Sequence, residues 1–296
     1  MLKAVEFVRP VVGIPAGIID RLKLVVIADL HIGYESELAK EGIYLPKSQI
    51  HRLKDRVLKL RRNVPYDRLL INGDLKHSFS RLSKQERAEV SEFLELVLGL
   101  FKEVILVRGN HDNYLPIIAR RHGIELLNEY SENGVLFIHG HADPGVNKLS
   151  NYDVVVIGHE HPSVVVRDAI GYPYKFPVML YIPTNYEFEM VVLPFFSTIT
   201  TGNVVTVDRS TILSPIIKNY GRLEEAVSLV AKFASKWRID VSLALQEVRD
   251  ALEEANQNLA QTSTLALQAA SSTSSLASLA QFSLDFSLIS SGMDLL

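Results

Sequence analysis

The sequence predicts a layered α/β sandwich, and two observations carry that prediction. Through the first half of the chain, short apolar runs rich in β-branched residues each end in Gly, Asp, Asn or His, and most lead into a segment with helical apolar spacing. From Val164 to about Ile212 the helices stop. Short β-rich segments punctuated by Pro and Gly take over there, which gives a second sheet packed on the first half.

Val5–Val8 and Leu22–Ala28 read as strands, joined by a connection punctuated around Gly13–Gly17. The second of them, LKLVVIA, is apolar on both faces, as a sheet covered on both sides requires, and it runs straight into Asp29-Leu30-His31. A short segment ending at Pro46 precedes a helix from about Lys47 to Arg62, in which Ile50, Leu53, Val57 and Leu60 make the buried stripe. Its other faces carry Lys47, Arg52, Lys54, Arg56, Lys59, Arg61 and Arg62 against a single Asp55. A solvated helix surface is the favoured reading of that charge. It outweighs a nucleic-acid contact, because no aromatic residues are interleaved with the cations for bases to stack on.

Asp67–Ile71 is the next strand and ends in Asn72-Gly73-Asp74-Leu75-Lys76-His77. Ser83 with Glu86 makes a capping box that opens a helix, with Val90, Phe93, Leu94 and Val97 pointing inward and Gly99 ending it. The run Val104–Asp112, VILVRGNHD, is the stretch around which the chain is organised. A buried strand there ends abruptly in Gly109-Asn110-His111-Asp112, where open α/β sheets place their ligands. A helix from about Asn113 to Arg121 follows. Val135–Ile138 then leads into His139-Gly140-His141, and Val154–Ile157 leads into Gly158-His159-Glu160-His161.

Composition bounds the function classes. At 296 residues, with 47% hydrophobic and 22% charged residues, the chain is an ordinary globular protein long enough for one large domain plus an extension, or for two domains. A formal charge of −3 argues against a generally basic nucleic-acid coat protein. There are no cysteines, so disulfides and thiolate metal sites are excluded and any metal must sit on His, Asp, Glu or Asn. No apolar run reaches the length of a membrane span and no signal-peptide pattern opens the sequence, so a cytoplasmic protein with no membrane partner is expected.

The five strand ends supply Asp29, His31, Asp74, Asn110, His139, His159 and His161. Each has an ordinary reading of its own, as a helix cap, a turn former, a core histidine or a loop residue. Together, in the order D-x-H, G-D, G-N-H-D, H-G-H and G-H-x-H, they fit a pair of divalent cations held by mixed nitrogen and oxygen ligands on one sheet edge. Asp suits the bridge, because its two oxygens can each take one metal, and His suits Mn, Fe or Zn better than Mg or Ca.

In these five blocks the sequence resembles the calcineurin-like metallophosphoesterases, over roughly Val8 to Pro215. Gly73-Asp74-Leu75-Lys76-His77 is most similar to the branch containing the double-strand-break repair nuclease. Asp29-Leu30-His31-Ile32-Gly33-Tyr34-Glu35, with Gly42-Ile43 and Pro46, resembles the prokaryotic phosphoesterases associated with DNA ligase and helicase genes, and their archaeal relatives. The resemblance implies a four-layer α-β-β-α sandwich of two mixed sheets. It also implies hydrolysis of a phosphodiester, in nucleic acid or a nucleotide, by in-line attack of a metal-bridging hydroxide. One metal would be held by Asp29, His31 and His161, the other by Asn110, His139 and His159, with Asp74 between them. His111 would lie near the leaving oxygen as proton donor or charge stabiliser, Asp112 would orient His111, and His77 would be a further phosphate contact. His141 would stand outside the ligands. The implied cofactors are two divalent ions, Mn2+ first, with Fe, Zn and Ni as alternatives. The implied partners are the phosphoester substrate and, by family analogy, DNA repair proteins such as a ligase or helicase.

Two other readings stay open. A phosphomonoesterase or cyclic-nucleotide diesterase uses the same core, and a metal-binding scaffold subunit of a DNA repair assembly would need no chemistry. The complete ligand set and the retained His111 favour an enzyme. By domain, residues 1–215 form the metallophosphoesterase unit and 216–260 a C-terminal helical extension, with a helix from about Gly221 to Leu259 that packs on the core or mediates dimerisation. Residues 261–296, rich in Ser, Thr, Ala and Leu, read as a weakly ordered low-complexity tail, a docking helix or an altered reading-frame end.

Overall fold

Alternation along the buried strands sorts the apolar residues into three cores, and this layering follows from the sequence one residue at a time. The computed structural model describes residues 3–79, 83–167, 170 and 172–226. The expected helix beyond residue 226 and the tail Gln261–Leu296 lie outside the described residues.

The chain opens with α1 (Lys3–Phe7), β1 (Arg9–Pro10), β2 (Gly17–Ile19) and β3 (Leu24–Ile27), followed by α2 (Tyr34–Lys40) and α3 (Gln49–Asn63). It continues through β4 (Arg68–Asn72), α4 (Lys84–Leu100), β5 (Glu103–Val107), α5 (Leu115–Arg121) and β6 (Leu126–Leu127). These six strands form one mixed sheet in sequence order, antiparallel from β1 to β3 and parallel from β3 to β6. The second half begins with β7 (Tyr130–Glu132), β8 (Val135–Phe137), α6 (Val146–Leu149), β9 (Val154–Ile157), β10 (Pro162–Arg167) and β11 (Pro173–Pro177). It then runs through β12 (Leu180–Ile182), β13 (Glu189–Val192), β14 (Asn203–Val204) and α7 (Pro215–Tyr220). Its five-stranded sheet has the order β12-β13-β9-β8-β7, and β10, β11 and β14 make a small three-stranded sheet.

On β3, Val25 and Ile27 face α3, α4 and α5, packing with Leu53, Val57, Phe93 and Ile118. Leu24 and Val26 point the other way and meet Phe137, Val154, Val156 and Val191 of the second sheet. On the far side of that sheet, Val155, Ile157 and Met190 are covered by Leu149, Ile216, Ile217, Leu223 and Ala226. The result is the four-layer α-β-β-α sandwich. Residues 216–226, read from the sequence as the start of a separate extension, contribute to its outermost core.

The first element departs from its sequence reading. Val5–Val8 looks like a strand, yet Lys3–Phe7 is helical and only Arg9–Pro10 pairs in the sheet. Ala4 and Val8, one helical turn apart, are fully buried, and the Ala4 amide donates to Glu189 Oε2 at 2.8 Å. A partner 185 residues away overrides local β propensity.

The cap on α4 is half as expected. The Glu86 amide donates to Ser83 Oγ at 3.0 Å, but the Glu86 carboxylate takes the Ser78 amide at 2.9 Å instead of returning to Ser83. Ser83→Ala is therefore expected to cost about 1 kcal/mol through the lost cap alone. A chemical-denaturation midpoint unchanged from the parent would show that the cap contributes nothing.

Candidate metal centre

The carboxyl ends of β3, β4, β5, β8 and β9 come together at one end of the sandwich, and the loops leaving them carry every expected ligand. These loops are strained. Among the described residues, eight non-glycine positions have positive φ, and Asp29, His31, Asp74, His159 and His161 are five of them. Such backbone costs on the order of 1–3 kcal/mol per residue and persists where surrounding structure enforces it, typically at functional sites.

The donors fall into two groups. Asp29, His31 and His161 form one, and Asp74, His139 and His159 the other, with ligand atoms in each lying within 4.8 Å of one another. In the first group, His161 Nε2 lies 3.2 Å from Asp29 Oδ1 and 3.1 Å from His31 Nε2. In the second, His139 Nε2 is 3.2 Å from both Asp74 Oδ2 and Asn110 Oδ1. Asp74 stands between them, since its Oδ2 is also 3.7 Å from His31 Nε2. One point of the sequence reading changes. The other Asp74 oxygen, Oδ1, accepts the His111 amide at 2.9 Å, so a single oxygen faces both groups.

Burial and neighbouring charge set the protonation of these groups. Desolvation lowers the imidazoles of His31, His77 and His159 to about 3, about 4 and about 4, which keeps them neutral and able to ligate. Burial also works against the charge of His139, but Asp74 and Asp29 outweigh it and push that ring up to about 9. Burial opposes ionisation of Asp29 and Asp74 as well, yet the facing histidines hold both carboxyls below the usual range. Two buried carboxylates thus stand among four imidazoles. That donor set, all nitrogen and oxygen, fits divalent transition-metal ions.

The candidate ligands are braced by groups to which the motifs assign no role. His139 Nδ1 donates to the Asn72 carbonyl at 3.0 Å, which leaves Nε2 for a cation. Gln49 Nε2 donates to the His31 carbonyl at 2.8 Å and Gln49 Oε1 accepts the Gly33 amide, while Glu35 takes the Ser48 and Gln49 amides. Glu160, between two ligands, accepts the Leu213 and Ser214 amides and so ties its loop to the start of α7. Lys76 is fully buried and donates to the carbonyls of Ser78 and His111. The signal for Gln49 was present, because it lies in phase with Leu53, Val57 and Leu60 on the buried stripe.

Asp112 does something other than expected. Its carboxylate accepts the amides of Gly109 at 2.8 Å, Asp74 at 2.9 Å and Lys76 at 3.3 Å, and burial together with the Asp74 charge pushes it up to about 6. It braces two loops against each other. The His111 ring is oriented instead by the His77 carbonyl, to which its Nδ1 donates, with Nε2 3.9 Å from Asp74 Oδ2. His77 Nδ1 lies 3.1 Å from His31 Nδ1. His141 is exposed, its ring 5.5 Å from that of His139.

Part of the basic charge of α3 is paired within the protein, while Arg52, Lys59 and Arg62 stay exposed. Arg56 donates to the carbonyls of Phe196 and Ser197, Arg61 pairs with Asp67 and Lys54 with Glu92. Among the described residues no helix is long and apolar enough to cross a membrane.

Carboxylates and histidines collected on the strand ends of a four-layer sandwich make a candidate metal site. Residues 22–192 match the family model for the calcineurin-like phosphoesterases, and the chain belongs to that family. Among solved structures it is similar to the nuclease MPE of Pseudomonas putida, with 21% identity, a TM-score of 0.49, and coverage of 66% of this chain and 84% of that one. It is also similar to YfcE, a phosphoesterase from E. coli, with 21% identity, a TM-score of 0.37, and coverage of 61% and 83%. No curated protein matches the chain.

Proposed function

We propose that the chain hydrolyses phosphodiesters, in nucleic acid or a nucleotide, at a centre of two divalent ions. The observation that carries this reading is the pair of donor groups around one buried Asp74 oxygen. Asp29, His31 and His161 would hold one ion, and Asn110, His139 and His159 the other, with Asp74 common to both. Mn is the first choice, with Fe, Zn and Ni as alternatives, because imidazole-rich sites suit these ions over Mg or Ca. When bound, such ions lower the pKa of water and neutralise charge on phosphoryl oxygens.

The chain's own residues supply the rest. His111 presents Nε2 beside the metal-facing Asp74 oxygen, where a proton held on it reaches the departing ester oxygen. The His77 carbonyl fixes that ring from behind, and the His77 imidazole faces the same side as a phosphate contact. Lys76 and Asp112 hold these loops in register through backbone carbonyls and amides. Tight positioning of this kind converts bound substrate into reacting geometry.

The test is an activity matrix on metal-stripped protein. Mn, Fe, Zn, Ni and Mg are crossed with a model diester, a model monoester, cyclic nucleotides, and single- and double-stranded DNA. Restoration of diester hydrolysis by Mn or a neighbouring transition ion, at about two ions per chain, is the expected result. Activity in the stripped protein, or on monoesters alone, overturns the reading.

His111→Ala separates proton transfer from metal binding. Metal content is expected to hold, while turnover of a diester with a poor leaving group falls by about 10²–10⁴-fold and that of a nitrophenyl ester falls less. Equal losses on both substrates would rule out a proton-donor role.

A further inference from the structure

Four aromatic rings stand in a row along one side of the centre. The centroid separations are 4.1 Å from Tyr34 to His77, 5.0 Å from His77 to His111 and 3.7 Å from His111 to Phe79. Their planes are inclined by 37°, 25° and 36° in turn, so the row is a leaning stack and not a set of edge contacts. The two central rings are the ones assigned above to the leaving oxygen and the phosphate. The outer two have no role in that chemistry. Phe79 is 56% exposed, and Tyr34 is partly exposed at the other end.

We infer that Tyr34 and Phe79 are a base-stacking subsite, and that the diester cleaved here carries an unpaired nucleobase next to the scissile phosphate. This rests on the phosphodiesterase reading of the same centre. A lone exposed phenylalanine is ordinary on a protein surface. This one ends a row that runs back through the groups facing the reacting phosphorus. A substituent attached through the leaving oxygen leaves the phosphate along that side. A planar base is the substituent that such rings hold best, and stacking takes any base because every base has a π face.

Stacking itself separates an unpaired strand from a duplex. In a duplex the base faces are covered by their neighbours, so only an unpaired or splayed base can lie on Phe79. The aromatic residues missing from among the charges of α3 lie instead at the mouth of the centre.

The test uses the full chain loaded with Mn2+ and four single-diester probes. These are thymidylyl-thymidine, its two singly abasic analogues with a tetrahydrofuran residue on either side of the phosphate, and the doubly abasic diester. Loss of the base on one side is expected to lower kcat/KM about ten-fold or more. In Phe79→Ala the ratio of dinucleotide to doubly abasic kcat/KM falls toward one, and in Tyr34→Phe, which keeps the ring, the ratio is retained. Calorimetry adds a readout independent of turnover, with thymidine monophosphate binding more tightly than deoxyribose 5-phosphate and losing that advantage in Phe79→Ala. Equal cleavage of all four probes, or a ratio that survives Phe79→Ala, overturns the subsite and leaves the diesterase reading standing. Cleavage of a nitrophenyl diester but of none of these probes also overturns the subsite, whereas failure on that diester as well overturns the diesterase reading itself.

Discussion

Asp74→Asn is expected to lower diester hydrolysis by well over 100-fold and to leave at most about one metal ion per chain, with the fold intact. The two oxygens of Asp74 have different duties. Oδ1 accepts the His111 amide at 2.9 Å, and Oδ2 lies 3.2 Å from His139 Nε2 and 3.7 Å from His31 Nε2. An asparagine cannot fill both. If its oxygen keeps the His111 amide, its NH₂ points into both donor groups, where a cation and neutral imidazole lone pairs belong. Turned the other way, the NH₂ meets the His111 N–H, donor against donor. In either pose a negative charge shared by two ions is gone. Partners that only orient a metal ligand typically contribute 10–100-fold, so loss of the residue common to both ions exceeds that range. Elemental analysis alongside turnover decides the matter, with circular dichroism as the check on folding. Two tightly held ions in the variant would remove Asp74 from the bridging position.

What made the centre legible is that strand burial and strand ends are both local signals. Leu24–Ile27 and Val154–Ile157 are apolar at every position because both sheet faces are covered, and each run stops where a polar residue begins. The blocks from Asp29-Leu30-His31 to Gly158-His159-Glu160-His161 could therefore be placed on one edge before any tertiary contact was known. The bracing of those blocks was less visible because it is made between them. Asp112 looks like a partner for its neighbour His111, yet its carboxylate serves amides at Asp74 and Lys76, 38 and 36 positions away in the chain. Lys76 carries no local sign of burial and is fully buried. Gln49 is the exception that pattern reasoning should catch, since a polar residue in phase with a buried stripe needs buried partners, and it has them at Gly33 and His31. The start of α7 is also marked in the sequence by Ser214-Pro215, a helix-entry pair in a stretch otherwise punctuated like β structure.

Gly109→Ala is expected to be severely damaging for a single added methyl, and a comparison with Gly42→Ala isolates the reason. A Cβ on Gly109 would lie 2.1 Å from Asp74 Oδ1 and 2.3 Å from the Asp74 backbone nitrogen. The side chain has no room to rotate away, because its Oδ1 is held by the His111 amide, and the nitrogen is tied to Asp112 Oδ2 at 2.9 Å. Gly109 is needed for the space it leaves, so that the loops carrying Asp74 and Asn110 can touch. Gly42 is the converse case, with φ of +86° and nothing within 4 Å of an added Cβ. There the substitution meets only the left-handed backbone penalty, about 1–2 kcal/mol. Gly109→Ala must instead push apart the loops that carry Asp74, Asn110 and His111. Overpacking a fully packed site costs about 1–3 kcal/mol, and occasionally more. Beyond that loss, the displaced Asp74 should take metal binding and turnover with it. Denaturation midpoints, bound metal and diester turnover are measured on both variants. Gly42→Ala should retain metal and activity at slightly reduced stability, whereas Gly109→Ala should lose metal and activity even where it remains folded. Full metal occupancy in folded Gly109→Ala would mean that the contact between these loops does not position the bridge.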